Sequence, residues 1–231
     1  AAPAAALPGA VGRVVLDPSP STLAAYERRR EERHREKRRL IRLRDLPAVT
    51  RDGTEIKLEA NVELPIEMEG VRQAGASGVG LLRTEFMFMN RADLPNEDEQ
   101  ARELIRVVAA MDGHPVTIRT LDIGAEKLAA ALTDDIGAGA ASALGLRGIR
   151  LSLKKSETLE TQFRAILRAA AHGPVRILLP MVTTPSEVRR AREILGHAAH
   201  RLRRRRVAIP EALPPVGAMI EVPGAALAAD A

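Results

Sequence analysis

From Thr50 onward the apolar residues fall into short runs separated by longer amphipathic stretches, which is the rhythm of a β/α protein. Val79, Leu81 and Leu82 behind Gly78, and Val116 and Ile118 behind Pro115, have the length and punctuation of buried strands. The pattern predicts strands near 56–64, 79–84, 116–122, 149–153, 177–180 and 218–222. Helices are expected over 65–75, 96–111, 156–172, 185–206 and from 223 onward. Strands that alternate with helices argue for a parallel sheet in an α/β fold.

Before Thr50 the pattern differs. Residues 1–10 are small and unpatterned and read as a mobile tail. GRVVLDPSPSTLAAYE then gives a short strand, a proline turn and a helix start, with Ser21 or Thr22 as the candidate cap. That helix is expected to run to about Arg44, through YERRREERHREKRRLIRLR at 26–44. Glu27, Glu31, Glu32 and Glu36 stand three or four positions from arginines, a spacing that gives exposed ion pairs of about 0.2–0.5 kcal/mol each. The expected division is a tail over 1–20, a charged linker helix over 21–47 and the α/β body over 48–231.

Composition narrows the classes. The chain has 231 residues, ample for a large core, and no cysteine, which excludes disulfides, a thiolate nucleophile and cysteine metal sites. No apolar stretch reaches bilayer length, and AAPAAALPGA lacks the charged region and apolar core of a secretion signal, so a soluble cytoplasmic protein without membrane partners is expected. Aromatics make up 2% of the residues, so the core must be aliphatic. The net charge of +5 concentrates in 26–44 and in HRLRRRR at 200–206. The second cluster has the chemistry to neutralise phosphates, but no aromatic residues flank it for stacking. Arginines before Pro210 also complement a helix C-terminus, and the balance weighs against nucleic acid as a partner.

The candidate chemistry lies at strand ends. GVGLLRTEFMFMNR at 78–91 and PVTIRTLDIGAEK at 115–127 each close an apolar run on an arginine beside a carboxylate, Arg83 with Glu85 and Arg119 with Asp122. Strand ends line the ligand crevice in parallel α/β folds, and a guanidinium presents a planar fork of donors to a phosphate or carboxylate. An isolated arginine is more often a solvated surface pair. Two at successive strand ends point to an anion site, with Glu85 and Asp122 placed to orient the guanidiniums.

Together with LGLRGIRLSL at 144–153, VRILLPMVTTPSEV at 175–188 and VGAMIEVPGAAL at 216–227, in that order, these stretches resemble the phosphoenolpyruvate-binding barrel of the phosphoenolpyruvate-protein phosphotransferases, Enzyme I of the bacterial sugar phosphotransferase system. The resemblance implies a (β/α)8 TIM-barrel-like domain preceded by the charged linker helix, with the first 20 residues including the end of a swivelling phosphohistidine domain. About six βα units are expected, so the sequence reads as a partial barrel with open edges, prone to self-association.

By resemblance Arg83, Arg119 and Arg147 bind the substrate, and Glu221 in AMIEVP is a ligand of Mg²⁺, whose second carboxylate lies on a further strand of the family. Lys127 either faces the phosphate or begins a helix. Ala141 and Ser142 replace the family's Asn-Pro, a departure that loosens the loop before Arg147. None of His34, His114, His172, His197 and His200 lies in a phosphohistidine context, so all five read as surface residues. The implied activity is phosphoryl transfer from phosphoenolpyruvate to a protein histidine, which then serves a phosphocarrier protein for sugar uptake. A homodimer is the implied assembly, and the chain alone is expected to be inactive without the phosphohistidine and the proton-donor cysteine. Two alternatives stand beside this one. The chain is the phosphoryl-donor component of a related system such as dihydroxyacetone kinase, or a non-catalytic module that dimerises through 26–44 or binds nucleic acid through Arg203 to Arg206.

Overall fold

The computed structural model describes residues 15–91, 93–123 and 144–230. They divide into two compact units, one ending at Ile56 and one starting at Lys57. The first is dominated by α1 (Pro20–Ile41), none of whose residues is buried. Its stability is local: Arg39 reaches Glu36 at 2.8 Å and Arg35 lies 3.9 Å from Glu31, on the exposed surface that the charge spacing predicts. The cap is Ser19, which accepts from the Thr22 N–H at 3.2 Å, and neither Ser21 nor Thr22 takes that role. Pro20 fixes the first helical position, where its missing N–H costs nothing, and so moves the boundary back.

The second unit alternates strand and helix. In chain order it contains β1 (Ala60–Val62), α2 (Met68–Ala74), β2 (Val79–Leu82), α3 (Glu97–Ala110), β3 (Val116–Arg119), α4 (Gly148–Lys154), α5 (Ser156–Ala169), β4 (Val175–Leu179), α6 (Pro185–Arg204), β5 (Val216–Ala218) and α7 (Pro223–Leu227). Among the described residues the strands form one parallel sheet in the order β1-β2-β3-β4-β5. The α/β class and the parallel order are those the sequence pattern predicts.

Helix starts are marked by reciprocal caps. Asn96 accepts from the Glu99 N–H at 2.9 Å while Glu99 accepts from the Asn96 N–H at 2.8 Å, and Glu187 accepts from the Thr184 N–H at 2.9 Å before α6. Val116, Ile118, Ile177 and Leu179 of the sheet join Leu104, Val107, Phe163, Ile166 and Leu202 of the helices in one buried cluster. On β4 the buried residues Val175, Ile177 and Leu179 alternate with Arg176, which donates to Glu59 at 3.1 Å. Gly80 makes room for Glu59: a Cβ there would stand 3.0 Å from the Glu59 Cβ.

One expected strand is a helix. Residues 149–153 lie in α4, and β3 pairs directly with β4 through Val116 with Val175 and Ile118 with Ile177, which leaves no slot between them. Ile149, Leu151 and Leu153 alternate as a strand would, yet on α4 they are buried together with Ser152, because a helix enclosed on most sides needs no polar stripe. The sheet accordingly has five described strands where six were expected. β1 and β5 are also shorter than 56–64 and 218–222, and β5 begins two residues earlier, at Val216.

Candidate functional site

β2 and β3 end side by side, and the residues that follow them form a charged cluster. Glu85 sits in a 3₁₀ turn three residues past the end of β2, and its Oε1 accepts from Arg119 Nη2 at 3.0 Å and from the Asp122 backbone N–H at 3.0 Å. Asp122 is 9% exposed and takes Arg147 in a two-point fork, Nε at 3.0 Å and Nη2 at 3.1 Å. Its Oδ2 also lies 3.6 Å from Arg119 Nη1. Two carboxylates thus hold two guanidiniums in fixed orientation, and the fork is the geometry that orients an arginine best.

The cluster is not fully satisfied from within. Nε of Arg119 is buried without a hydrogen-bond partner, and so is Nε of Arg83. A buried donor left unmade costs about 1–3 kcal/mol, more when charged, and such a group marks a place where a ligand would be welcome. Desolvated ion pairs are also a poor route to stability. Both facts favour a binding role for the cluster.

A polar relay behind the cluster fixes the two strand ends. Thr84, fully buried, donates from Oγ1 to the Arg119 carbonyl at 2.9 Å. Gln162 on α5, 1% exposed, donates from Nε2 to Thr84 Oγ1 at 3.2 Å and accepts the Leu121 N–H on Oε1 at 2.9 Å. One amide therefore ties α5 to residues on both sides of Arg119. Sequence reasoning missed Gln162. The available signal was a polar residue on the apolar face of an amphipathic helix, between Leu159 and Ile166.

The other expected site residues are more dispersed. Arg83 follows β2 directly, but its Nη1 lies 3.8 Å from Glu63 in a pair with 40% and 68% side-chain exposure, and it shares no hydrogen bond with the cluster. Glu221 is exposed and accepts the Met181 N–H on Oε1 at 2.8 Å. Met181 adopts φ +59, and Gly148, at φ +53, lies against it: a Cβ at Gly148 would stand 2.9 Å from Met181 Cβ and Cγ. The segment after β4 and the start of α4 are therefore in contact, next to Arg147. All five histidines are exposed and none donates to the cluster. Lys127, Ala141 and Ser142 lie outside the described residues.

Among the described residues no group of three or more His, Cys, Asp or Glu could hold a metal ion. Glu221 Oε1 is engaged by an amide, and Oε2 is a hard oxygen donor of the kind Mg²⁺ prefers. The chemistry of that oxygen therefore fits one ligand of such an ion. No described helix is long and apolar enough to cross a membrane.

A phosphoenolpyruvate-protein phosphotransferase of Cupriavidus necator is 48% identical over 220 residues, which is 95% of this chain and 37% of the relative. Proteins of the same name from Bacillus sp. (strain S) and Geobacillus stearothermophilus are each 40% identical over 222 residues, 96% of this chain and 38% of the relative. The chain thus spans little more than a third of the length of these relatives. The family model described as "PEP-utilising enzyme, PEP-binding domain" matches residues 37–231, a stretch that contains Glu85, Arg119, Asp122 and Arg147, and the chain belongs to that family.

Proposed function

We propose that the chain is the phosphoenolpyruvate-binding part of a phosphoenolpyruvate-protein phosphotransferase, in which Arg119 and Arg147 hold the substrate. The observation that carries this reading is the bracing of those two arginines by Glu85 and Asp122 at the ends of adjacent strands, with Arg119 Nε buried and unpartnered. Phosphoenolpyruvate brings a phosphate and a carboxylate. Fixed guanidiniums in a partly desolvated site stabilise that charge without reorganising as it shifts. Arg83, loosely paired and with its own Nε unpartnered, is free to add a third contact.

In the proposed reaction the bond between phosphorus and the enol oxygen breaks, a bond from phosphorus to a histidine nitrogen forms, and the enolate takes up a proton to give pyruvate. The arginines position the phosphoryl group and offset charge on its oxygens. Glu221 would hold Mg²⁺ through one carboxylate oxygen, and the ion when bound would supply charge stabilisation to the phosphoryl transfer. In this reading the acceptor histidine and the proton donor are supplied from elsewhere, since none of the five histidines lies in a phosphohistidine context and the sequence has no cysteine. The phosphohistidine then passes its phosphoryl group to a phosphocarrier protein in the cytoplasm, and the intact protein works as a homodimer.

The test is calorimetric titration of phosphoenolpyruvate into the chain, with and without Mg²⁺, using wild type, Arg119→Ala and Arg147→Ala. Saturable binding that weakens at least tenfold in both variants, without release of pyruvate, is the expected result. Equal affinity in wild type and variants would refute the assignment of the site. Pyruvate formation by the chain alone would refute the claim that acceptor and proton donor lie elsewhere.

A further inference from the structure

Away from that cluster, α3, α5 and the end of α6 converge on a single carboxylate. Glu97, the first residue of α3, is 13% exposed and accepts from Arg164 Nε at 2.7 Å, from Arg168 Nη1 at 2.9 Å and from Arg205 Nη1 at 2.8 Å. Arg168 also meets Asp98 at 2.6 Å. Arg164 and Arg201 approach Glu160 Oε1 to 3.2 Å and 3.1 Å, but neither makes an aligned hydrogen bond to it. Burial works to raise the pKa of Glu97, and the hydrogen bonds from Arg205, Arg164 and Arg168 outweigh it, so the carboxyl sits below its ordinary value and stays ionised.

A cavity of about 400 Å³ opens at this junction, lined by Glu97, Arg164, Arg201, Arg204 and Arg205. Five guanidiniums stand here against the three carboxylates of Glu97, Asp98 and Glu160, and the excess of two positive charges matches a dianion. Arg204 has no ion-pair partner among the described residues, although it borders the cavity. Partly buried ion pairs such as those of Arg164 and Arg168 with Glu97 are a poor route to stability, because desolvation offsets much of the attraction. Here Glu97 instead fixes arginines from two other elements, so that their remaining N–H groups are held in place before a ligand arrives, which lowers the entropy cost of binding.

We infer that this cavity binds a small phosphate-bearing anion, gripped by Arg201, Arg204 and Arg205 together with Arg164, while Arg168 helps to hold the Glu97 carboxylate in place. Guanidinium forks match the oxygens of a phosphate, and the volume is that of a small-molecule pocket. No aromatic side chain lines it, which disfavours a nucleic acid strand that would need stacking. The inference is independent of the proposed phosphoenolpyruvate site. Arg164 and Arg168 follow Gln162 by two and six positions, on the opposite side of α5 from the relay to β2 and β3.

The experiment is a calorimetric titration of inorganic pyrophosphate into the full chain at constant ionic strength, with glycerol phosphate and a short single-stranded DNA run in parallel. Wild type is compared with Arg201→Gln/Arg204→Gln, whose altered side chains are exposed, and with Arg119→Gln. One saturable site is expected for glycerol phosphate, a dianion at neutral pH, and for the more highly charged pyrophosphate. Its affinity falls at least tenfold in the double variant at unchanged Tm and is unaltered in Arg119→Gln. Absence of saturable binding by wild type overturns the inference, as does equal binding by the double variant. Loss in Arg119→Gln alone would place the probe at the strand-end cluster and overturn it too. DNA bound more tightly than pyrophosphate, and released by the double variant, would make the patch a nucleic-acid surface instead.

Discussion

Gln162→Leu separates the polar relay from the packing around it. Leucine has a similar volume and suits the apolar face shared by Leu159, Phe163 and Ile166, so no cavity opens. The loss is confined to two hydrogen bonds, one from the Leu121 N–H at 2.9 Å and one to Thr84 Oγ1 at 3.2 Å. Leu121 is 4% exposed, and its N–H, left without an acceptor, costs about 1–3 kcal/mol. Thr84 keeps its bond to the Arg119 carbonyl, and the loss of the second partner adds about 0.5–1 kcal/mol. Apolar burial of the new side chain recovers part of this, for a net destabilisation of about 2 kcal/mol, or roughly 4–8 °C in Tm at this size. Urea unfolding measures the global effect. Hydrogen exchange reads the local one, with faster exchange expected over residues 119–123 and unchanged protection in β4. A variant with wild-type Tm and wild-type protection at Leu121 would refute the claim that this amide fixes the end of β3.

Three further outcomes follow from the geometry. The carboxyl of Glu97 has its pKa lowered from 4.5 on folding, so its contribution is fully present above pH 4.5 and fades as pH falls through the lower folded value. Urea unfolding between pH 5 and pH 3 should show a steeper loss of stability in wild type than in Glu97→Gln. Gly148→Ala combines φ +53 with a Cβ 2.9 Å from Met181, and should cost about 1–3 kcal/mol in thermal unfolding, with weaker phosphoenolpyruvate binding because Arg147 is the neighbouring residue. Glu221→Gln keeps an oxygen for the Met181 N–H but removes the charge, so calorimetry should show phosphoenolpyruvate affinity without Mg²⁺ unchanged and any gain from adding Mg²⁺ abolished.

Local signals carried most of the fold. The amphipathic period and the capping residues mark α3, α5 and α6 to within three residues, and the turn chemistry of Gly78 and Pro115 marks the starts of β2 and β3. Residues 149–153 misled because a five-residue apolar alternation fits a strand as well as a buried helical turn, and only the direct pairing of β3 with β4 decides between them. In the cluster, Arg119, Glu85 and Asp122 were legible because each lies at the edge of a strand motif. Arg147 was legible only through resemblance, since nothing local says that a residue 25 positions away will take the fork of Asp122. Gln162 was invisible for the same reason: its partners are 41 and 78 residues distant in sequence. Arg83 carries the same motif as Arg119, but its side chain meets Glu63 and not Glu85.

The contact between Gly148 and Met181 makes a mechanical coupling out of two separate loops. Arg147 precedes the glycine, and the Met181 N–H holds Glu221, so the two residues are linked through one tight van der Waals joint with little slack. A ligand that drew Arg147 inward would press on the amide that donates to Glu221. Coupling of this kind would show as one kinetic phase shared by probes on the two loops, whereas two independent phases would mean that the contact transmits nothing.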